Sequence, residues 1–244
     1  MDSEKPPQVL ATASDNFLAV GFNADGSALA AGAADNTIRI VDFASRQETR
    51  KIEQHADWVL SVAFSHDGSR IVTASRDKSA RLFDAKTGEL EYSYLGHTDP
   101  VFSAAFADND KQVYSAGRDR KIFGWDPTVG DSGTGKKKSA RKPGEIGGFE
   151  GDIIQLLVRG DWLFSCSADH NVRLHSVENR ELIRTFAGHK DVVYSLAYDE
   201  KNKRLASGGY DGEVRIWKVD DGSTLTAFVA APGYHGAKAQ AAAK

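Results

Sequence analysis

Apolar and polar residues alternate along most of this chain, in short runs broken by clusters of Gly, Asp, Asn and Ser. Runs such as "WVLSVAFS" (58–65), "RIVTAS" (70–75) and "SARLFD" (79–84) place every second side chain on an apolar face, the period of a half-buried strand rather than a helix. Polar turns such as "HDGS" (66–69) and "EKNK" (200–203) separate them, with the turn chemistry that closes hairpins. The pattern predicts four strands per unit, here termed a, b, c and d in chain order.

The unit repeats. "AADNTIRIVD", "SRDKSARLFD", "GRDRKIFGWD", "SADHNVRLHS" and "GYDGEVRIWK" each hold an aspartate in the b–c turn: Asp35, Asp77, Asp119, Asp169 and Asp211, spaced 42, 42, 50 and 42 residues apart. A lone four-stranded sheet cannot bury both faces. Packing such sheets face to face around an axis does so, which predicts an all-β propeller of five four-stranded blades. "QVLATA" (8–13) reads as a leftover N-terminal strand, because unit five already has its own fourth strand in "STLTAFVAA" (223–231). The expected organisation is a tail over 1–7, a propeller over 8–230 with an insertion near 127–148, and an Ala/Lys-rich tail over 231–244. The expected ring is incomplete or open, with a compact five-bladed ring as the competing arrangement.

These repeats resemble the WD40 family. The resemblance is carried by the "GH" pairs Gly96-His97 and Gly188-His189, the variant Gln54-His55, and the strand-c ends Trp125-Asp126 and Trp217-Lys218. Segments such as "LFSCSADHNVR" and "FVAAPGY" look, more narrowly, like bacterial WD40 proteins, many of which join a propeller to a c-type cytochrome domain. The family resemblance implies a buried polar tetrad in each blade: the GH histidine, the turn Asp, a strand-b hydroxyl and the strand-c Trp. Carried onto this chain it gives His55, Ser75 and Asp77, with Phe83 at the Trp place, in unit two. Unit three has His97, Asp119 and Trp125, with Gly117 at the hydroxyl place. Unit four has Ser167 and Asp169, with Glu150 and His175 at the outer places. Unit five has His189, Asp211 and Trp217, with Gly209 at the hydroxyl place. Unit one keeps only Asp35, with Ala13, Ala33 and Val41 elsewhere. A His–Asp–Ser set also suggests a hydrolase triad, but its recurrence once per blade makes it structural.

"VGDSGTGKKKSA" (129–140) comes within one residue of a phosphate-binding loop: Gly130, Gly135 and Lys136 fit, and Lys137 stands where Ser or Thr would hold magnesium. The context fails, because a working loop of this kind links a buried strand to a helix, and Pro143 with the following glycines blocks one. Five of the seven residues from Lys136 to Lys142 are basic. Without interleaved aromatics they read as a solvated insertion, and nucleic acid is disfavoured. The formal net charge of −3 gives no field for nucleic acid or an anionic membrane. A lone cysteine, Cys166, excludes an internal disulfide, and the seven histidines form no metal-spaced cluster. No cofactor, metal, membrane partner or catalytic residue is expected.

The resemblance also implies a partner-binding face, built from the residue before each turn Asp and two residues at the start of strand a. These are Trp58, Leu60 and Arg76 in unit two, and Pro100, Phe102 and Arg118 in unit three. Unit four supplies Ile153, Gln155 and Ala168; unit five supplies Val192, Tyr194 and Tyr210; unit one has Asn16, Leu18 and Ala34. The two arginines favour a carboxylate-bearing protein or peptide segment. The expected function is a non-catalytic scaffold, the alternative an accessory propeller of a cytochrome-linked redox or hydrolytic protein. An open ring would also permit self-association. A complete chain would be cytoplasmic, and a fragment of an exported cytochrome-linked protein periplasmic.

Overall fold

Short runs of apolar residues, many of them β-branched, aromatic or small, alternate with polar turns in each unit, and the computed structural model pairs them as antiparallel strands. It describes residues 8–107, 110–127 and 144–230. Blade one comprises β1 (Phe17–Phe22), β2 (Ala28–Ala33), β3 (Ile38–Asp42) and β4 (Gln47–Ile52). Blade two comprises β5 (Val59–Phe64), β6 (Arg70–Ser75), β7 (Ala80–Asp84) and β8 (Leu90–Tyr94). Blade three follows with β9 (Val101–Phe106), β10 (Val113–Gly117), β11 (Ile122–Trp125) and β12 (Gly144–Ile146). Blade four has β13 (Ile153–Arg159), β14 (Trp162–Ser167), β15 (Asn171–Ser176) and β16 (Leu182–Ala187). Blade five has β17 (Val193–Asp199), β18 (Arg204–Gly209), β19 (Glu213–Lys218) and β20 (Thr224–Val229). Each blade is a separate antiparallel sheet whose strands lie in chain order.

Four cores join neighbouring blades. Ala30, Ile38 and Ile40 of blade one meet Val59, Ile71 and Phe83 of blade two. Val72 and Leu82 of blade two then meet Val113 and Trp125 of blade three. Tyr114 and Ile122 meet Ile153 and Leu163, and Phe164 and Leu174 meet Leu205 and Trp217. No core among the described residues joins blade five to blade one, so the propeller is an open arc. The fourth residue of the inner strand shows the consequence. Val62, Ala104, Leu156 and Leu196 are 4–8 % exposed, whereas the equivalent Val20 of blade one is 67 % exposed.

The expected N-terminal strand does not form. Residues 8–13 join none of the five sheets, because blade five completes itself with β20 and leaves no strand-c edge for them. Gln8 instead accepts a hydrogen bond from Arg46 Nη1 at 3.0 Å. The phosphate-loop-like segment, the basic run Lys136–Lys142 and the C-terminal tail with His235 lie outside the described residues.

The asymmetry of exposure gives a direct test. Val62→Ala should lower stability by about 1–3 kcal/mol through lost burial and a residual cavity, whereas Val20→Ala should change it by less than about 0.5 kcal/mol, both read from thermal melts.

Candidate functional site

The five turn aspartates share one geometry. The backbone N–H two residues on donates to Oδ1 of Asp35, Asp77, Asp119, Asp169 and Asp211 at 3.0–3.2 Å. The Oδ2 of each accepts a backbone N–H from the incoming d–a segment, donated by Ser14, Ala56, Thr98, Glu150 and Lys190 at 2.9–3.4 Å. The residue after each Asp takes positive φ: Asn36, Lys78, Arg120, His170 and Gly212, between 62° and 78°. A carboxylate that satisfies the tight turn on one side and the preceding loop on the other is what asparagine or glutamate could not reproduce at this reach. Burial would raise the Asp77 pKa, yet hydrogen bonds from His55 and Ser79 hold it below the usual carboxylate range. In Asp35 burial is likewise overcome, by Thr37 and Ser14, and the value falls to about 2.

Behind three of these turns runs a buried polar chain. His55, His97 and His189 set Nδ1 against the Asp carboxylate at 2.8, 2.7 and 3.1 Å. Their Nε2 atoms meet Thr73 Oγ1, Ser115 Oγ and Ser207 Oγ at 2.7, 2.9 and 2.8 Å. Trp125 and Trp217 donate Nε1–H to Ser115 and Ser207 at 3.2 and 2.8 Å. With the proton on Nδ1, each imidazole donates to Asp and accepts from the hydroxyl, so donors and acceptors match along the chain. The hydroxyls are 0–1 % exposed and out of reach of a substrate. They are structural groups and not nucleophiles.

This corrects the assigned tetrads. The strand-b hydroxyl lies two residues earlier than expected: Thr73 in place of Ser75, Ser115 in place of Gly117, and Ser207 in place of Gly209. Units three and five are therefore complete. Ser75 and Ser167 serve the turn instead, accepting the N–H of Asp77 and Asp169 at 3.1 Å and donating to the carbonyls of Asp57 and Gly151. A Cβ at Gly209 would lie 2.6 Å from both Asp211 Oδ1 and His189 Nδ1, so glycine keeps that chain uncrowded. In unit one the hydroxyl place falls to Ala31 and not Ala33. In unit four Phe149, not Glu150, fills the histidine place, packing 6.0 Å from the His175 ring and 4.6 Å from the Arg173 guanidinium. Arg173 takes over the missing imidazole's work, pairing with both oxygens of Asp169 at 3.0 and 2.8 Å.

Blade four therefore carries a defect. Ser165 Oγ and His175 Nδ1 are buried with no hydrogen-bond partner. Burial, reinforced by Arg173, lowers the His175 pKa to about 4. Cys166 beside them is fully buried, and burial pushes its thiol up to about 12, which makes it inert.

The loop face is positioned by the same turns. The residue before each Asp donates its N–H to the residue preceding strand a: Ala34 to Asn16, Arg76 to Trp58, Arg118 to Pro100, Ala168 to Asp152 and Tyr210 to Val192. Strand pairing then skips one residue in each blade, at Leu18, Leu60, Phe102, Ile154 and Tyr194. These bulges turn the skipped side chains toward the mouth of a central cavity of about 970 Å³, which all five line. Unit four is again one residue out: Ile153 is buried and Gln155 faces blade five, so Asp152 and Ile154 hold the surface places.

Two exposed clusters stand on this face. The Arg76 guanidinium lies 4.1 Å from the Trp58 ring centroid, and its Nε donates to Asp57 Oδ2 at 2.7 Å. Tyr194 and Tyr210, each about half exposed, meet edge to face at 6.0 Å. Arg118 is exposed and forms no ion pair among the described residues, so the two arginines are unequal: Arg76 already has a carboxylate.

Two mutations test the polar chains. Ser207→Ala strands the indole and imidazole of blade five and should cost about 1–3 kcal/mol. For His175 the folded pKa lies below its unfolded value of 6.5, so the unfolded chain takes up the proton first and stability falls as pH drops from about 6.5 to 4. His175→Phe, the residue type of Phe83 in blade two, should flatten the melting temperature across that window; an unchanged slope would refute the assignment.

Comparison with known proteins agrees with this geometry. The family model for the WD domain, G-beta repeat, matches residues 5–42, 46–84, 88–126 and 180–218. Eukaryotic translation initiation factor 3 subunit I of Drosophila mojavensis is 33% identical over 85 residues, 34% of this chain and 26% of that protein. The Candida albicans subunit is 31% identical over 86 residues, 34% of this chain and 25% of that protein. The matched stretch thus spans about a quarter of the length of these curated relatives. The solved structure of U3-55K superposes with a TM-score of 0.80 at 21% identity, over 91% of this chain and 67% of that one. The repeated strands, the turn aspartates and the family match together show that this chain belongs to the WD40-repeat family.

Proposed function

We propose that this chain is a non-catalytic scaffold that recognises a protein or peptide segment on the loop face of its arc. The observation that carries the reading is the pair of exposed aromatic clusters, Trp58 with Arg76 and Tyr194 with Tyr210, held by turns that hydrogen-bond their backbones in place. Rigid Trp, Tyr and Arg side chains beside a concave mouth are the types that dominate interface energies. Leu60 and Phe102 at the bulges add apolar contact toward the cavity. A carboxylate of the partner would pair with Arg118 and compete with Asp57 for Arg76. The matched initiation-factor proteins are, by name, subunits of a larger factor, the setting in which a propeller without chemistry of its own acts. The alternative, an accessory propeller of a cytochrome-linked protein, rests on the resemblance of a few segments.

The test is capture of a partner from host extract by the tagged chain, followed by titration of the identified partner. Arg76→Ala with Arg118→Ala, or Trp58→Ala with Tyr210→Ala, should weaken binding by about tenfold or more with the fold intact by circular dichroism. His97→Ala should lower the melting temperature and leave affinity nearly unchanged. Unchanged capture by both double variants sinks the reading.

A further inference from the structure

Two junctions between neighbouring blades match position by position and differ in what fills them. Between blades four and five, Trp162 opens β14 opposite Ser176 and packs its indole on Tyr198 of blade five, with ring centroids 5.7 Å apart. Between blades one and two, Ala28 opens β2 opposite Asp42, and Phe64 stands at the Tyr198 place. The neighbours do not make good the lost indole. The c–d turn of the following blade supplies Val219 in one junction and Ala85 in the other, each donating its backbone N–H to the a–b turn, at Lys203 and Ser69. Gly68 stands where blade five has Asn202. Three smaller side chains leave a pocket of about 390 Å³ walled by Phe64, Ile40 and Val41. That is near the lower end of the roughly 300–1,000 Å³ that ligand sites span, a size for one ring system rather than a large cofactor.

The rim differs in charge as well. Arg50 and Arg184 are equivalent residues of strand d, paired with Ile40 and Leu174. Each reaches carbonyls of the next blade's c–d turn. Arg50 Nε donates to Lys86 at 2.8 Å, and Arg184 Nη1 and Nη2 donate to Asp221 and Asp220 at 2.8 and 2.9 Å. The turn thus sets Asp220 beside Arg184 but Lys86 beside Arg50. Arg50 and Lys86 are exposed, both line the pocket, and neither forms an ion pair among the described residues. Asp42, the acid in the lining, turns its Oδ1 to the N–H and hydroxyl of Ser45 at 2.7 and 2.5 Å.

We propose that this pocket seats a tryptophan side chain of a partner protein, with a carboxylate beside it in the partner's sequence meeting Arg50 and Lys86. Trp162 shows the shape that fits, because its indole fills the same register place against Tyr198. Phe64 offers the matching ring face. Two cations without a counter-ion set the charge of what flanks the indole. Ala28 begins strand b and the b–c turn follows its end, so the pocket lies at the opposite end of the strands from the loop face. It goes beyond the function proposed above and stands or falls independently of it.

The test uses the full chain, isotope-labelled for amide NMR, and the capped tripeptide Glu-Trp-Glu. Titration should shift the amides of Gly68 and Lys86 and leave those of Arg118 and Tyr210 in place. Lys86→Glu, which copies the charge at Asp220, should weaken the peptide by about fivefold or more and turn the preference toward capped Lys-Trp-Lys. Ala28→Trp should fill the seat from within and abolish the shifts, with the fold intact by circular dichroism. Should that variant fail to fold, Lys86→Glu still decides, because an exposed lysine is not needed for folding. Three outcomes overturn the proposal: no shift at Gly68 and Lys86 at millimolar peptide, equal affinity of the native chain for the acidic and basic tripeptides, or a folded Ala28→Trp chain that still takes up the peptide. Indole-3-acetate bound as tightly as the tripeptide would assign the seat to a free aromatic acid and overturn it too.

Discussion

The whole arc depends on one carboxylate used five times. Each turn Asp is bonded on one side to the b–c turn and on the other to the segment arriving from the blade before. That single group closes the hairpin, fixes the entry of the next strand and anchors the imidazole where one is present. A buried or half-buried carboxylate is costly unless its lone pairs are filled. Here two backbone N–H groups serve each of the five, whatever side chains stand beside it. The blades can therefore lose other tetrad members and still form: blade one has no imidazole, hydroxyl or indole in its chain, yet Asp35 keeps both backbone bonds.

Much of this was legible in the sequence, because the period and the turn Asp are strictly local signals. The hydroxyl was not. Thr73 and Ser75 lie on the same face of β6, as do Ser165 and Ser167 on β14, and a period of two cannot say which of them the imidazole reaches. Only the depth to which His55 enters the blade decides, and that is a three-dimensional fact. Blade four failed differently. Its a–b turn is short, Arg159 to Trp162, so distances counted back from Asp169 miss the incoming segment. The residue at the histidine place is a phenylalanine with no polar signature. The signal that could have exposed the shift is the start of the apolar run "IIQLLV", in which Ile153, taken as a surface place, and not Ile154 begins the buried face.

The loop face was partly legible. The residues before the turn aspartates were found from the repeat, and the bulges explain why Leu60, Phe102 and Tyr194 belong with them. The engagement of Arg76 by Asp57 was not, since Asp57 reads simply as a loop acid until its distance from the guanidinium is known. This changes the chemistry of the face: it presents a shielded cation stacked on an indole beside a bare one at Arg118, rather than two matching charges.

The hydrogen bond from the residue before each Asp to the residue ahead of strand a is made by backbone atoms alone. Ala34, Arg76, Arg118, Ala168 and Tyr210 thus occupy one mechanical role with five very different surfaces. At Arg76, Arg118 and Tyr210, whose side chains are exposed, this bond asks nothing of the side chain. Such positions behave as sockets: what is plugged into them, and so the surface that the loop face presents, can be exchanged while the frame that holds them stays the same.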